Sequence, residues 1–271
     1  MKKGSPTVSI VTVVYNDVEH IAKTMLSVYK QTYTNYEYII IDGASSDGTQ
    51  QEIQKNIKRG TIYISEPDKG VYDAMNKATH LATGHWIYFL NSRDTFFSIY
   101  TLEKLFSSAY ESNIGCIVGN IRNIKTVNNV KLFLDESPQC LKHSPTFVLP
   151  ACHQAIFTRT WLQKKYSFDT KYKICADFNF FKTAFEKENI SFQYINCIIA
   201  HYDLSGLSTK NFILASKETA IIRGIKLPSL SIKLVKYYVS NILKCLFLRI
   251  FPKTAQHIIV NRLIKHGWIQ L

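Results

Sequence analysis

The chain has 271 residues, of which 46% are hydrophobic, so it is long and apolar enough to bury a full core. Its formal net charge is +13, and nine of its basic residues follow Glu218, after which no acidic residue occurs. The composition excludes a disordered chain. The one-sided charge excludes a uniformly basic protein and favours a local contact with an anionic surface.

The first half of the sequence alternates strand patterns with helix patterns. In chain order, strands are predicted at Val8–Val14, Tyr38–Ile41, Thr61–Ser65 and His85–Leu90, and helices at Val18–Lys30, Gln50–Lys58 and Val71–Thr83. This alternation predicts βαβ units, and therefore a Rossmann-like α/β fold with a mostly parallel central sheet flanked by helices.

The second half has a less regular pattern. Its predicted elements are a helix at Thr101–Ser112, strands at Gly115–Gly119, Lys131–Asp135, Ala155–Phe157 and Ile190–Ile199, and a helix at Phe178–Lys187. The prolines of Ser137–Pro150 predict an irregular segment there.

The C-terminal segment changes in character. Within Leu230–Phe251 the lysines recur at helical spacing on one face and the apolar residues lie largely on the other; a second short helix is predicted after Pro252. We therefore predict a domain at 1–224 and a basic amphipathic helical extension at 225–271. The extension is typical of a helix lying on a membrane surface, and equally of a helix packed on its own domain.

The cysteines and the apolar segments indicate the compartment. The six cysteines include no C-x-x-C pair, which argues against zinc and against a disulfide framework, and favours a reduced cytosolic chain. The amino terminus lacks the apolar core of a secretory signal. No segment reaches the roughly 18 uncharged apolar residues of a membrane span, because basic residues interrupt Leu230–Phe251.

Polar side chains follow each of the first four predicted strands. They are Tyr15 and Asn16, Asp42, Glu66 and Asp68, and Asn91 and Asp94. Ligands of open parallel sheets lie beyond the carboxyl ends of the strands, so we expect these side chains to meet at one rim. The hard oxygens after the fourth strand suit a cation or a diphosphate. The chain has neither a G-x-x-x-x-G-K-[ST] loop nor a G-x-G-x-x-G turn, which excludes the usual kinase and dinucleotide sites.

Seven strings occur in a familiar order: VSIVTVVYN, IIIDGASSDGT, SEPDKGVYDAMNKA, FLNSRD, HQAIF, ADFNFF and DLSGLS. Together they resemble family 2 nucleotide-sugar glycosyltransferases of the GT-A fold, and more narrowly the bacterial members that build O-antigen, capsule or other surface polysaccharide. The resemblance covers about Thr7 to Ser208, and SEPDKGVYDAMNKA is its most specific part. It implies inverting transfer from a nucleoside-diphosphate sugar, with UDP expected, to a lipid-diphosphate-linked saccharide.

The resemblance implies donor-binding roles at the rim. Asp42 corresponds to the acid that holds the uracil or ribose, Val13, Tyr15 and Asn16 would line the base, and Asp68 and Asp73 border the donor. The residues also allow simpler interpretations. Asp42 precedes a glycine and suits a turn, and Asp73 suits the first turn of its helix.

The family's metal motif corresponds to Asn91-Ser92-Arg93-Asp94. Asp94 is its strong candidate ligand for Mn²⁺ or Mg²⁺, with Asn91 on the donor side and His201 as an additional candidate ligand. His201 is also an ordinary polar residue for a strand end. Close relatives tend to have glycine where Arg93 stands; an arginine there could instead donate two hydrogen bonds to the diphosphate.

Asp177 aligns with the general base of inverting members, and His153 and Gln154 lie in the family's HQ string on the acceptor side. In the reaction so implied, Asp177 takes a proton from the acceptor hydroxyl during displacement at the anomeric carbon. The alternative interpretation is that Asp177 caps the helix Phe178–Lys187.

The expected partners are a nucleotide sugar, a lipid-linked saccharide and an anionic membrane surface that binds the C-terminal helices. The protein is thus expected in the cytoplasm, peripheral on the inner face of the membrane. Two further hypotheses remain open. A degenerate, non-catalytic relative is suggested by Arg93. A nucleic-acid-binding module is suggested by the basic tail, but acids at the rim would repel a polyanion, so we expect no nucleic acid partner.

Overall fold

The computed structural model describes residues 8–127, 130–138, 149, 151–204, 211–225 and 265–270. Its strands are β1 Val8–Val14, β2 Tyr36–Asp42, β3 Ile62–Ser65, β4 Trp86–Phe89, β5 Thr95–Phe96, β6 Ile114–Val127, β7 Val130–Glu136, β8 Ile156–Arg159, β9 Ser191–Asp203 and β10 Ile269–Gln270. Its α-helices are α1 Ile21–Tyr29, α2 Thr49–Asn56, α3 Val71–Leu81, α4 Thr101–Phe106, α5 Thr160–Tyr166, α6 Ala176–Lys187 and α7 Phe212–Ile222. A 3₁₀ turn spans His153–Ala155.

The chain divides into two compact units. The first comprises residues 1–122 and 135–202, and the second comprises residues 123–134 and 203–271. The second unit thus takes in the β6–β7 turn region as well as the C-terminal part of the chain. The predicted boundary at 224/225 stays a prediction, because the helices expected at Leu230–Phe251 and after Pro252 lie outside the described residues.

The first unit contains the predicted sheet. Strands β3, β2, β1 and β4 lie side by side in that order and pair in parallel. Strand β8 then pairs antiparallel with β4, and β6 pairs antiparallel with β8. The α/β class and its parallel centre are confirmed. Strands were predicted at the places of β6 and β8, but their antiparallel direction was not, because short apolar runs carry no sign of their direction.

The order of the strands determines where a ligand can bind. The chain runs from β1 outward through β2 and β3, and then returns to place β4 on the other side of β1. Ligands of doubly wound sheets usually bind beyond the carboxyl ends of the strands at such a switch point. Here the switch point lies between β1 and β4, and we call the rim formed by the residues after Val14 and after Leu90 the crevice.

Several helices differ from their predicted bounds. Helix α1 begins at Ile21 and not at Val18, because the main-chain carbonyl of Asp17 accepts hydrogen bonds from the amides of His20 and Ile21 in a preceding turn. Helix α4 ends at Phe106, six residues before its predicted end. Helix α5 follows β8 directly and was not predicted.

Aromatic packing beneath the crevice positions the HQ string. The Tyr88 ring of β4 is fully buried and stacks on Phe157 of β8, with ring centroids 4.1 Å apart. Its hydroxyl donates a hydrogen bond to the main-chain carbonyl of Gln154 (2.7 Å). Burial of a phenol is tolerated only with a partner, so this bond fixes the 3₁₀ turn next to the end of β4.

Two sequence predictions about the compartment can be compared with the described residues. The four described cysteines, Cys116, Cys152, Cys175 and Cys197, are all free thiols. Among the helices that the structure describes, none combines the length and the hydropathy required to cross a membrane.

Candidate active site

Asp17 joins the two loops that border the crevice. Its buried carboxylate accepts hydrogen bonds from the Ser92 hydroxyl (2.6 Å) and the Arg93 guanidinium (2.9 Å), and it pairs with the His20 ring (2.7 Å). The Asp17 amide donates to the Thr49 hydroxyl (2.8 Å). This residue therefore ties the ends of β1 and β4 together at the switch point.

Arg93 stands in a backbone conformation that favours glycine. Its φ is +83°, within the left-handed region, where the Cβ of an L-residue crowds the following carbonyl. This geometry suits the glycine that the resemblance implies at this position. The Asp17 ion pair offsets part of the strain, and the Arg93 side chain remains 36% exposed at the crevice. It could therefore reach an anionic ligand.

We expect Arg93→Gly to be more stable than Arg93→Ala by about 1 kcal/mol. Both variants lose the Asp17 ion pair, so the difference isolates the backbone strain that alanine keeps and glycine relieves. Urea unfolding of the two variants at neutral pH measures this difference. Equal stabilities would show that the chain here is not strained.

Tyr15 and Asp68 converge on Gly43 at the outer side of the rim. A Cβ at Gly43 would lie 2.5 Å from Asp68 Oδ2 and 3.2 Å from the Tyr15 ring, so only glycine permits this close approach. The other Asp68 oxygen accepts from the Gly70 amide (2.7 Å), and the Tyr15 side chain is 65% exposed. An exposed aromatic face beside a carboxylate suits a base and its ribose.

Asp42 lies behind this surface and is fully buried. Its Oδ2 accepts from the Ser45 amide (3.0 Å) and the Ser65 hydroxyl (2.6 Å), and its Oδ1 accepts from the Ser45 hydroxyl. The structure thus gives Asp42 the turn-forming role that its sequence context allows. The direct contact with uracil or ribose implied by the resemblance stays a prediction.

Asn16 and Val13 form hydrogen bonds with neighbouring loops of the rim. Asn16 has φ +48°, donates its amide to the Ser45 hydroxyl (2.8 Å), and accepts from the Ser46 amide through its side chain (2.9 Å). Val13 is buried, and its carbonyl accepts from the Ser92 amide (3.2 Å). Both residues therefore hold the rim in place, and their predicted contact with the base is untested.

Asp73 takes the helix role that its sequence position allowed. It lies in the first turn of α3, and its carboxylate accepts from the Lys69 amide (2.9 Å). An acid there favours the helix through the helix dipole.

Asp94 is buried, with 3% of its surface exposed, and its main-chain carbonyl accepts from the Thr24 hydroxyl of α1 (2.8 Å). The charge of Asp94 also affects the pKa of the Cys152 thiol. Burial first, and then the carboxylates of Asp94 and Glu136, raise this pKa to about 12. Asp94 therefore lies close to the 3₁₀ turn that carries the HQ string.

The residues at Asp94 are compatible with a divalent cation. The Asn91 amide oxygen is buried and has no hydrogen-bond partner among the described residues, so a carboxylate and an amide oxygen are available within four residues. Hard oxygens of this kind are the ligands that Mg²⁺ and Mn²⁺ prefer, with a diphosphate completing the shell. In the described part of the chain, no group of three His, Cys, Asp or Glu side chains forms a metal cage by itself.

His201 lies on β9, in the first unit. It is paired with Thr95 in the β5–β9 ladder; its Nδ1 lies 3.3 Å from the Thr95 hydroxyl, and its ring packs against Phe97. Burial, with the nearby charges of Arg122 and Lys23, lowers the pKa of His201, so its imidazole is neutral at pH 7. Neutral imidazole is the form that binds metals, and the role of His201 as a ligand stays a prediction.

A chain of contacts connects the end of β4 with helix α6. The Asn91 side-chain amide lies 3.4 Å from His153 Nε2, and His153 Nδ1 lies 3.0 Å from Asp177 Oδ2. The three residues are 62 and 24 positions apart in the sequence, yet they share one rim. The predicted base and the predicted donor site are thus brought together.

Asp177 is the second residue of α6 and does not cap it, because Cys175 precedes the first helical residue, Ala176. Its Oδ1 accepts from the Phe178 amide (2.8 Å) and lies 3.1 Å from the Tyr72 hydroxyl. Burial raises the pKa of Asp177, but the hydrogen bond and charge of His153, with the Phe178 amide and Tyr72, outweigh it and leave the pKa below its usual value. The side chain, 18% exposed, is therefore an ionised base at neutral pH.

Sequence reasoning assigned no site role to three residues of this region. Asp17 was interpreted as part of a turn, Tyr72 as part of a helix, and Glu136 was not considered. A polar residue directly after β1 was the available signal for Asp17. The sequence carried no signal for Tyr72, because its contact with Asp177 spans 105 positions.

Three comparisons with known proteins add to this geometry. The described fold is similar to that of a mannosyltransferase from Pyrobaculum calidifontis solved with GDP-Man and Mn²⁺, at a TM-score of 0.60 and 15% identity, over 83% of this chain and 67% of that one. A PGL/p-HBAD biosynthesis glycosyltransferase of Mycobacterium tuberculosis is 28% identical over 76% of this chain and 80% of its own length. The UDP-Glc:alpha-D-GlcNAc-diphosphoundecaprenol beta-1,3-glucosyltransferase WfgD of Escherichia coli is 31% identical over 73% of this chain and 77% of its own.

The fold is of the GT-A type, and the similar proteins are glycosyltransferases. The model of the family described as Glycosyl transferase family 2 matches residues 9–189. The chain belongs to this family, and the resemblance of its motifs is thereby confirmed.

Proposed function

We propose that this protein is an inverting glycosyltransferase that moves a sugar from a UDP-sugar to a lipid-diphosphate-linked saccharide in the synthesis of a bacterial surface polysaccharide. The similarity to a relative that is named for a UDP-Glc donor and a diphosphoundecaprenol-linked acceptor supports this choice of substrates. The oxygen-rich rim at the switch point supports a nucleoside-diphosphate donor.

One observation carries the proposal. The contact chain from Asn91 through His153 to Asp177 brings the Asp177 carboxylate to the rim that also carries Asp94, which supports a role for Asp177 as the base. Inverting transfer requires a base on the acceptor side and charge stabilisation on the leaving-group side of one sugar. The two acids have different surroundings, as different roles require: Asp177 contacts a histidine and the first turn of α6, and Asp94 lies in the loop after β4.

The residues divide the reaction between them. Tyr15 and Asp68 would hold the base and ribose, and the partly exposed guanidinium of Arg93 would donate to the diphosphate. Asp177 would take the proton of the acceptor hydroxyl as the new C1–O bond forms, while the bond from C1 to the diphosphate breaks and its electron pair leaves with UDP. Because the pKa of Asp177 is low, it is a weak base, so proton transfer would accompany bond formation and not precede it.

Asp94, together with the Asn91 amide oxygen, would hold a divalent cation. When bound, the cation would neutralise negative charge that develops on the departing diphosphate.

The experiment is a panel of nucleotide sugars incubated with a synthetic lipid-diphosphate monosaccharide. We expect one UDP-sugar to be consumed, with a disaccharide product whose new linkage has the anomeric configuration opposite to that of the donor, as read by NMR. A product that retains the donor configuration, or no product with any UDP-sugar, would contradict the proposal.

We further propose that the basic C-terminal segment holds the enzyme at the inner face of the cytoplasmic membrane. Its charge supports this: Arg223 and all later charged residues are basic, and each lysine or arginine near an anionic surface contributes about 1 kcal/mol of attraction. We expect removal of residues 228–271 to release the protein from vesicles containing anionic phospholipid, measured by sedimentation. Undiminished vesicle binding, or tighter binding of the full chain to RNA than to vesicles, would contradict it.

A further inference from the structure

We propose that His153 is a positioning residue for Asp177: it holds one carboxylate oxygen and is itself held by Asn91, so that the acceptor hydroxyl is directed to a single remaining lone pair of the base. The inference rests on the proposed function. It adds a role for His153 and a physical link between the donor end and the base end of the site.

The two oxygens of Asp177 are not equivalent. Oδ1 faces two groups, the Phe178 amide at 2.8 Å and the Tyr72 hydroxyl at 3.1 Å. Oδ2 faces one, His153 Nδ1 at 3.0 Å. The Phe178 amide and the Tyr72 hydroxyl cover Oδ1, whichever acceptor takes the Tyr72 proton. Among the described residues Oδ2 has one partner, so the accessible lone pair left for the proton of an incoming hydroxyl is on Oδ2.

The Tyr72 hydroxyl is shared between two acceptors. It lies 2.6 Å from the Ile174 carbonyl as well as 3.1 Å from Asp177, and it has one proton to donate. The shorter distance indicates that the proton goes mainly to Ile174, which precedes α6. Tyr72 therefore fixes the start of α6 sterically and by hydrogen bonding, and it leaves His153 as the main side-chain donor to Asp177.

The contacts also require a proton on one nitrogen of His153. A carboxylate only accepts, so Nδ1 must carry a proton to donate to Asp177, and Nε2 faces the Asn91 side-chain nitrogen at 3.4 Å. The buried oxygen of Asn91 has no partner among the described residues. One ring therefore contacts both the base and the loop after β4.

Two substitutions at one position separate the two halves of this arrangement. His153→Asn places an amide nitrogen where Nδ1 stands, so it keeps the bond to Asp177 and loses the link to Asn91. His153→Gln reaches the position of Nε2, so it keeps the link to Asn91 and loses the bond to Asp177. Circular dichroism and UDP binding would confirm that both variants are folded.

The measurement is the titration of the Asp177 carboxyl carbon by ¹³C NMR, assigned by its absence in Asp177→Asn. We expect His153→Asn, which keeps the donor but not the charge of the ring, to titrate closer to the wild type than His153→Gln does. His153→Gln should titrate about one pH unit or more above the wild type, because burial is then opposed by fewer donors. The acid limb of kcat/KM, measured with the UDP-sugar found by the panel, should move by the same amount. The ring ¹⁵N shifts of His153 should report a protonated Nδ1.

Equal titration of Asp177 in all three proteins, or a proton on Nε2 of the neutral ring, would overturn the inference. The NMR measurements need no sugar donor, so they can fail while the transferase proposal stands. The opposite outcome is also possible. If the pKa of Asp177 responds to substitution of His153 but Asp177→Asn remains active, His153 does position Asp177, and Asp177 is not the catalytic base.

Discussion

Replacing Asp177 with asparagine is expected to lower the transfer rate by roughly 100- to 10,000-fold, the usual range for loss of a general base. Asparagine has nearly the same shape and can still accept from the Phe178 amide, but it cannot take a proton. Binding of UDP should be largely unchanged, because the proposed role of Asp177 is toward the acceptor hydroxyl and not toward the nucleotide. Initial rates with the active UDP-sugar and calorimetry with UDP measure the two effects.

Glu103→Gln is the matched control for this substitution. Glu103 is also an acid in the first turn of a helix, α4, and its carboxylate accepts from a neutral donor, the Thr32 hydroxyl (2.6 Å). It should therefore reproduce any general cost of neutralising a helix-terminal acid without loss of the base. Transfer that survives Asp177→Asn, or falls equally in Glu103→Gln, would show that Asp177 is not the base.

The same substitution should change how stability depends on pH. The pKa of Asp177 is lower in the folded protein than in the unfolded chain, so the wild type gains stability above the unfolded value near 4 and loses it as pH falls through the folded value. The asparagine variant lacks this pH-dependent stabilisation of the folded protein. Urea unfolding of the two proteins from pH 5 downward should therefore show curves that converge toward acid.

Replacing Asp94 with asparagine is expected to lower the transfer rate about 100-fold or more and to abolish tight binding of Mn²⁺ in the presence of UDP. The buried carboxylate would be the one strong protein ligand in the loop after β4, and an amide oxygen is a much weaker ligand for a hard cation. The main-chain carbonyl that accepts from Thr24 is kept, so the loop should remain in place. Rates and Mn²⁺ binding by isothermal titration calorimetry test this.

Asp169→Asn serves as the control for the loss of one negative charge. Asp169 forms an exposed ion pair with Lys171, so its removal changes the net charge in the same way without touching the crevice. We expect it to keep wild-type activity and Mn²⁺ affinity. If Asp94→Asn binds Mn²⁺ as tightly as this control does, Asp94 is not the metal ligand, and Arg93 becomes the main source of positive charge at the diphosphate.

Strand β1 could be predicted because it is buried along its whole length. A continuous, mostly β-branched run, Val8–Val14, results, and its predicted bounds are those of the structure. The start of α1 could not be predicted, because the turn before it closes on the main-chain carbonyl of Asp17, whose carboxylate is held by residues 75 and 76 positions away. Helix periodicity contains no information on such a contact.

The site was predictable as a set of residues but not as a set of contacts. Parallel strand ends bring Asp42, Asp68 and Asp94 to one rim, and that follows from topology alone. The sequence did not show that the Ser65 hydroxyl donates a hydrogen bond to the Asp42 carboxylate, although the parallel register places the two residues opposite each other. Nor did it show that His153 meets Asp177, since that contact depends on how the 3₁₀ turn is held by Tyr88.

The loop from Asn91 to Asp94 is tied to its neighbours at several points: Leu90 and Ser92 to the carbonyls of β1, Arg93 to Asp17, and the Asp94 carbonyl to α1. A diphosphate that enters the crevice would find these groups already arranged, so its binding would require little ordering of the chain. The favourable free energy of the diphosphate contacts would then be reduced only slightly by the entropic cost of ordering the loop. This part of the pocket should act as a preorganised template that keeps its shape through each turnover.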